Sequence, residues 1–193
     1  MLSNDILRHA RELERAVRNN RYEVTEDGLL FPDQGLRFHG NMEHAVNGRD
    51  VRVDPNIVPI EAFNYLLTAG ISNGTQHAAF YVALVGANVT PNSALTAATF
   101  DSVMTEFTNY DETARVEFVD SAASGGSLNN TASPALFTIS AGGGTVYGGA
   151  LLSAAAKEST AGAILACTLF ASARVLLEAD ELSIKYTISG TSS

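Results

Sequence analysis

Ala135-Leu136-Phe137-Thr138-Ile139-Ser140-Ala141-Gly142-Gly143-Gly144-Thr145-Val146-Tyr147-Gly148-Gly149-Ala150-Leu151-Leu152-Ser153 sets two apolar runs, 135–140 and 145–153, on either side of a glycine-rich turn. How the glycines are read decides the fold class. A phosphate cradle opens a helix and carries Gly-Lys-Ser/Thr. Here the glycines lead into a strand pattern with no lysine behind them, so Ala141 to Thr145 reads as a loop between strands. Outward from it the texture persists. Ala78 to Val85 is a continuous apolar run, expected of a strand covered on both faces, and Thr113 to Val119 alternates. Ala163 to Phe170, Arg174 to Leu177 and Leu182 to Ser189 are further strand candidates, separated by Ser/Gly/Asn turns. The only helix expected among them is short, over 59–69: Pro59 suits the first helical position, Ile60, Phe63, Leu66 and Leu67 repeat at helical spacing, and Gly70 ends it. A doubly wound sheet needs crossover helices that this pattern lacks. The chain is expected to be mainly β, with an antiparallel β-sandwich or jelly-roll-like body over 59–193.

Residues 1–58 read as an arm. Over 5–18, Ile6, Ala10, Leu13 and Val17 follow a 4-3-4 spacing that gathers them within about 60° of one helix face. Ser3 or Asn4 can cap this helix, and Arg8, Arg11, Arg15 and Arg18 share the opposite side. Two readings stand: the seam packs on the chain's own body with solvated arginines, or it docks on a partner subunit, with Arg choosing an acidic surface. Glu26-Asp27-Gly28 marks a turn. Over 42–53, Asn47-Gly48 is a strong two-residue hairpin turn. The simplest register pairs Val46 with Arg49, His44 with Val51, Glu43 with Arg52 and Met42 with Val53. Met42, His44, Val46, Val51 and Val53 then share an apolar face.

Charge divides the chain in the same way. Of 193 residues only 17% are charged, against roughly 25% in ordinary domains. Eight of the twelve basic residues fall in the first 52 positions beside nine of the 21 acids, so the remainder carries −8 of the net −9. So acidic a body repels polyphosphate, which argues against a nucleic-acid partner. No apolar run approaches a membrane span, and Met1 to Asp5 lacks a signal-peptide start, so neither a membrane nor export is expected. The single cysteine, Cys167, lies in an apolar run and reads as a buried inert thiol.

No catalytic, cofactor or metal constellation is legible. His39, Glu43 and His44 form H-x-x-x-E-H, which is neither metalloprotease spacing, and on a strand His39 and Glu43 face away from His44. His77 lies in a polar loop. Ser127 and Ser153 lack a nucleophile elbow, and the acids Asp111, Glu112, Asp120, Glu158, Glu178, Asp180 and Glu181 sit at expected turns and strand ends. A non-enzymatic protein without cofactors is expected.

Phe80 to Leu84, Phe107-Thr108-Asn109-Tyr110-Asp111-Glu112-Thr113-Ala114-Arg115-Val116-Glu117-Phe118, Val146 to Leu152, and the strand pair 174–177 and 182–189 together resemble a loose family of small tailed-bacteriophage virion proteins. Asn4 to Ala10, Leu13 to Arg15 and Tyr22 to Gly28 are similar to the start of phage structural proteins. The resemblance implies a virion protein assembled in the host cytoplasm: a capsid decoration (cement) protein whose arm, through Ile6, Leu13, Val17, Arg8, Arg11, Arg15 and Arg18, binds other virion proteins, the major capsid protein first among them. Self-association is expected as well, a homo-oligomer that is a trimer where apolar strand faces are shared between subunits. The alternative the resemblance leaves open is a tail- or neck-associated adaptor, for fibre attachment or glycan binding, with Asn109, Tyr110 and Asp111 as contacts.

Overall fold

The computed structural model describes residues 4–18, 22–24, 30–32 and 36–192. In chain order these form α1 (Asn4–Arg18), β1 (Tyr22–Val24), β2 (Leu30–Pro32), β3 (Leu36–Val46), β4 (Arg49–Pro55), α2 (Ile60–Gly70), β5 (Tyr81–Val85) and α3 (Ala97–Met104). There follow β6 (Glu106–Phe107), β7 (Val116–Glu117), β8 (Ser127–Asn129), β9 (Ala135–Thr138), β10 (Gly144–Leu152), β11 (Ile164–Leu176) and β12 (Glu181–Ser192). The chain divides into two units, residues 1–37 with 190–193, and residues 38–189.

The larger unit is the expected antiparallel β-sandwich. One sheet runs β11-β10-β5-β6, with β7 also pairing β5; the other runs β4-β3-β12-β8, with β9 also on β12. Between them lies a core in which Val82, Leu84, Leu151, Phe170 and Leu176 of the first sheet meet Met42, Phe137, Leu182, Ile184 and Tyr186 of the second. The glycine-rich turn therefore does not join a hairpin. It carries the chain from β9 in one sheet to β10 in the other. A Cβ at Gly149 would stand 2.5 Å from Met42 Sδ, so a larger residue there would push the Met42 side chain aside.

Residues 81–85 are apolar throughout because β5 is covered twice, while Ala78, ahead of the strand, is exposed. Val82 and Leu84 face the inter-sheet core, while Ala83 and Val85 pack with Ala150, Leu152, Ile164 and Cys167 against Phe100 and Met104 of α3. Sequence periodicity does not find α3. Its Thr96 cap is nonetheless complete, Thr96 accepting from Thr99 N while Thr99 Oγ1 accepts from Thr96 N. Glu61, in the first turn of α2, fixes both neighbours by accepting from Ala97 N and Ile164 N, each at 2.8 Å.

Two expectations are corrected. The hairpin forms with Asn47 and Gly48 at φ 51° and 68°, and Val46 pairs Arg49, but His44 then pairs Arg52, Glu43 pairs Val53 and Met42 pairs Asp54. Asp50 and Val51 oppose Ala45 alone: a β-bulge with Asp50 at φ 50° slips β4 by one residue and turns its faces over. Val51 and Val53 are consequently 57% exposed, and Asp54 points inward in their place. Glu43 bonds Lys185 at 2.7 Å instead of meeting Arg52, which turns to Asp50. Second, the boundary expected at residue 58 lies at 37, because β3 pairs β12 and makes the hairpin an edge of the sandwich. The Glu26–Gly28 turn lies outside the described residues.

Candidate functional site

The smaller unit holds the residues proposed for partner binding. β1 and β2 pair antiparallel, Tyr22 with Pro32 and Val24 with Leu30, and α1 packs against both strands. Ala16 is buried and Leu13 half-buried, whereas Ala10 and Val17 are exposed, Val17 at 45%. The covered line of α1 thus runs through Leu13 and Ala16, with Val17 left at its rim. Arg11, Arg15 and Arg18 face solvent; Arg18 pairs with Glu14 at 2.9 Å, one helical turn away. Such an exposed pair contributes about 0.3–0.5 kcal/mol. Arg15 and Arg18 also sit in the last turn, where cations favour the helix dipole. Ile6 and Arg8 belong to α1, and their side chains lie outside those described.

In the sandwich a buried polar set centres on His44 and Arg174. The His44 ring is fully buried and stacked on Phe170, centroids 3.6 Å apart and planes 6° from parallel. Arg174 Nε donates to Nδ1 at 2.7 Å, so Nδ1 is unprotonated and Nε2 donates to Asp54 Oδ2 at 2.8 Å. Burial, and secondarily the Arg174 charge, hold its pKa below the usual histidine value against the opposing pull of Asp54. Asp54 Oδ1 also accepts from Ala171 N, and Arg174 continues to the carbonyls of His44 and Asp50 and to the Asp50 carboxylate. The set ties β3 and β4 of one sheet to β11 of the other. It is a clasp enclosed by protein, and a substrate cannot reach the ring.

A second clasp centres on Arg115. Its Nε and one terminal nitrogen donate to the two Glu106 oxygens at 2.9 and 2.6 Å, with both side chains fully buried. The remaining donors reach the carbonyls of Ala154 and Ser159, and Glu106 accepts from Glu158 N. Beside it, Lys157 Nζ lies 3.6 Å from the Tyr110 ring centroid. The residues named as glycan contacts differ in their access: Asp111 is exposed, whereas the Tyr110 ring is buried with its hydroxyl unpartnered among the described residues. Asn109 donates to the carbonyls of Ala141 and Gly143, and Asp111 accepts from Ser140 Oγ. Cys167 is buried too, and desolvation pushes its thiol up to about 12, leaving no thiolate at neutral pH.

One concavity in the sandwich was not legible in the sequence. Under α2, between the two sheets, opens a cleft of about 470 Å³. Leu151 and Leu165 line it from one sheet, Leu128, Tyr186 and Ile188 from the other, and Tyr65, Leu66 and Ala69 from α2. Gln76, His77 and Asp120 also line it. His77 stacks on Tyr65 at 5.0 Å and meets Phe80 edge-on at 6.0 Å, and its amide donates to Tyr65 Oη at 3.1 Å. Its walls converge from elements up to 150 residues apart in sequence, so no local pattern announces it. Among the described residues, no group of three or more His, Cys, Asp or Glu could hold a metal ion, and no helix is long and apolar enough to cross a membrane. The chain matches no protein-family model and no curated protein.

Proposed function

We propose that this chain is a non-enzymatic structural protein of a tailed-bacteriophage virion, a capsid decoration (cement) protein that joins the head through its N-terminal arm. The observation that carries the reading is the arm's composition as a unit apart from the sandwich: a helix with Val17 at its rim and Arg11, Arg15 and Arg18 all open to solvent. A helix of 15 residues is marginal alone, and apolar and guanidinium groups left outside a finished core are available to a neighbouring subunit. The sandwich supports the same reading from the other side. With six basic and fourteen acidic residues over 38–189 it carries −8, which disfavours the packaged DNA and suits an outer surface. Its buried histidine and its buried arginine–glutamate pair are both engaged in holding strands together, a structural use of these groups.

Attachment to particles lacking this protein tests the reading. Full-length chain should bind and a chain lacking residues 1–21 should not, with the sandwich still folded; undiminished binding by the shortened chain removes the arm's role. Electron microscopy of decorated particles locates the copies. A head-lattice position in threefold clusters is the expected result, and copies confined to the tail or neck replace the cement reading with an adaptor.

A further inference from the structure

We propose that the cleft under α2 is a binding site for a small apolar molecule, carrying an aromatic ring and ending in a neutral or cationic hydrogen-bond donor. The inference does not rest on the virion reading, since every lining residue lies within 38–189. At about 470 Å³ the cleft falls in the range of roughly 300–1,000 Å³ typical of small-molecule sites. Tyr65, Leu66, Phe80, Leu128, Leu165 and Ile188 line it and are only partly buried, so a ligand would withdraw further apolar surface from water. The Tyr65, His77 and Phe80 rings, packed stacked and edge-on within 5.0 to 6.0 Å of one another, offer the offset and edge contacts that an aromatic guest prefers. Charge selects the other end of the ligand. Asp120 is exposed, and among the described residues neither lysine nor arginine lines the cleft. An anionic head would meet a carboxylate without a counter-ion, whereas an amine or amide gains a charge-assisted hydrogen bond.

Three indoles of similar size separate these terms when titrated into methyl-labelled full-length protein: 3-methylindole, tryptamine and indole-3-propionate. The expected result is saturable shifts of the Leu66, Leu128, Leu151 and Leu165 methyls with the first two. Tryptamine should bind about tenfold more tightly than the propionate, a gap that Asp120→Asn narrows to about twofold. Leu165→Trp fills the cleft and should weaken 3-methylindole at least about tenfold. Asp120 is a surface position, so its variant decides the matter even if Leu165→Trp does not fold. No saturable shift from any of the three indoles, or a tryptamine preference untouched by Asp120→Asn, overturns the proposal. So does a peptide of residues 4–18 moving these methyls where no indole does, which would make a second copy's arm the occupant.

Discussion

His44 shows how one residue can carry a pH dependence without facing solvent. Its neutral ring accepts from Arg174 and donates to Asp54, so a proton added at Nδ1 removes the first bond and sets two cations against each other. Unfolded, the ring titrates near 6.5, and in the sandwich its pKa is lowered. As pH falls the unfolded chain therefore takes up the proton first. The contribution to stability is complete above about pH 6.5 and is lost as pH drops toward the folded value, at up to about 1.4 kcal/mol per pH unit. Urea denaturation between pH 8 and 5.5 should show a plateau followed by this decline. The His44→Gln variant should be less stable at pH 8 yet flat over the same interval; an unchanged decline in that variant would assign the effect elsewhere.

The short strands depend on side chains more than on their ladders. β6 and β7 contribute two residues each to the edge beside β5, too few backbone bonds to define them. Arg115 and Glu106 supply what the ladder lacks, joining the two strands to the 154–159 loop. Removing one partner leaves the other charge buried, so Glu106→Gln should cost about 3–5 kcal/mol in urea denaturation, whereas Glu117→Gln, exposed on the same edge, should stay within about 0.5 kcal/mol. Equal effects of the two substitutions would deny the pair its role. What was legible in these elements follows the range of the forces that set them. The two-sided burial of β5 and the Asn47-Gly48 turn are local and appear in the sequence. The Asp50 bulge is coupled to Arg174, 124 residues away, and neither the slip of β4 nor the inward turn of Asp54 can be read from the hairpin itself. α3 escapes for a different reason: at eight residues, with Thr99 and Val103 among them, its helix signal rests on the Thr96–Thr99 cap alone. β11 is one strand over 164–176, and the gap between the two strands expected at 163–170 and 174–177 falls where its ladder with β10 shifts register: Leu169 pairs Gly148 and Arg174 pairs Val146, so residues 170–173 oppose Tyr147 alone and Ala171 and Ser172 face solvent.

At the scale of the whole molecule, the position of the division between arm and sandwich can be tested by where the chain tolerates a new start. A division at residue 58 treats the hairpin as dispensable to the sandwich. Against that, Met42 is fully buried in the inter-sheet core, His44 stacks on Phe170, Asp54 bonds Ala171, and Ile57 exchanges backbone hydrogen bonds with Cys167. Loss of residues 1–58 would strip β12 of its β3 neighbour and open the core along that side. Emptying a site such as that of Met42 costs about 2–5 kcal/mol by itself. Domains of this kind hold only about 5–15 kcal/mol in total, so losing the hairpin exceeds what the rest can absorb. Among the described residues, loss of 1–37 removes no member of either buried cluster. A chain of residues 38–193 should accordingly melt in one cooperative transition within about 4 °C of the full-length protein, the shift expected of a perturbation near 1 kcal/mol. A chain of residues 59–193 should show neither a cooperative transition nor dispersed amide signals. Dispersed signals from the shorter chain, or their absence from the longer one, would move the boundary back to the hairpin's far end.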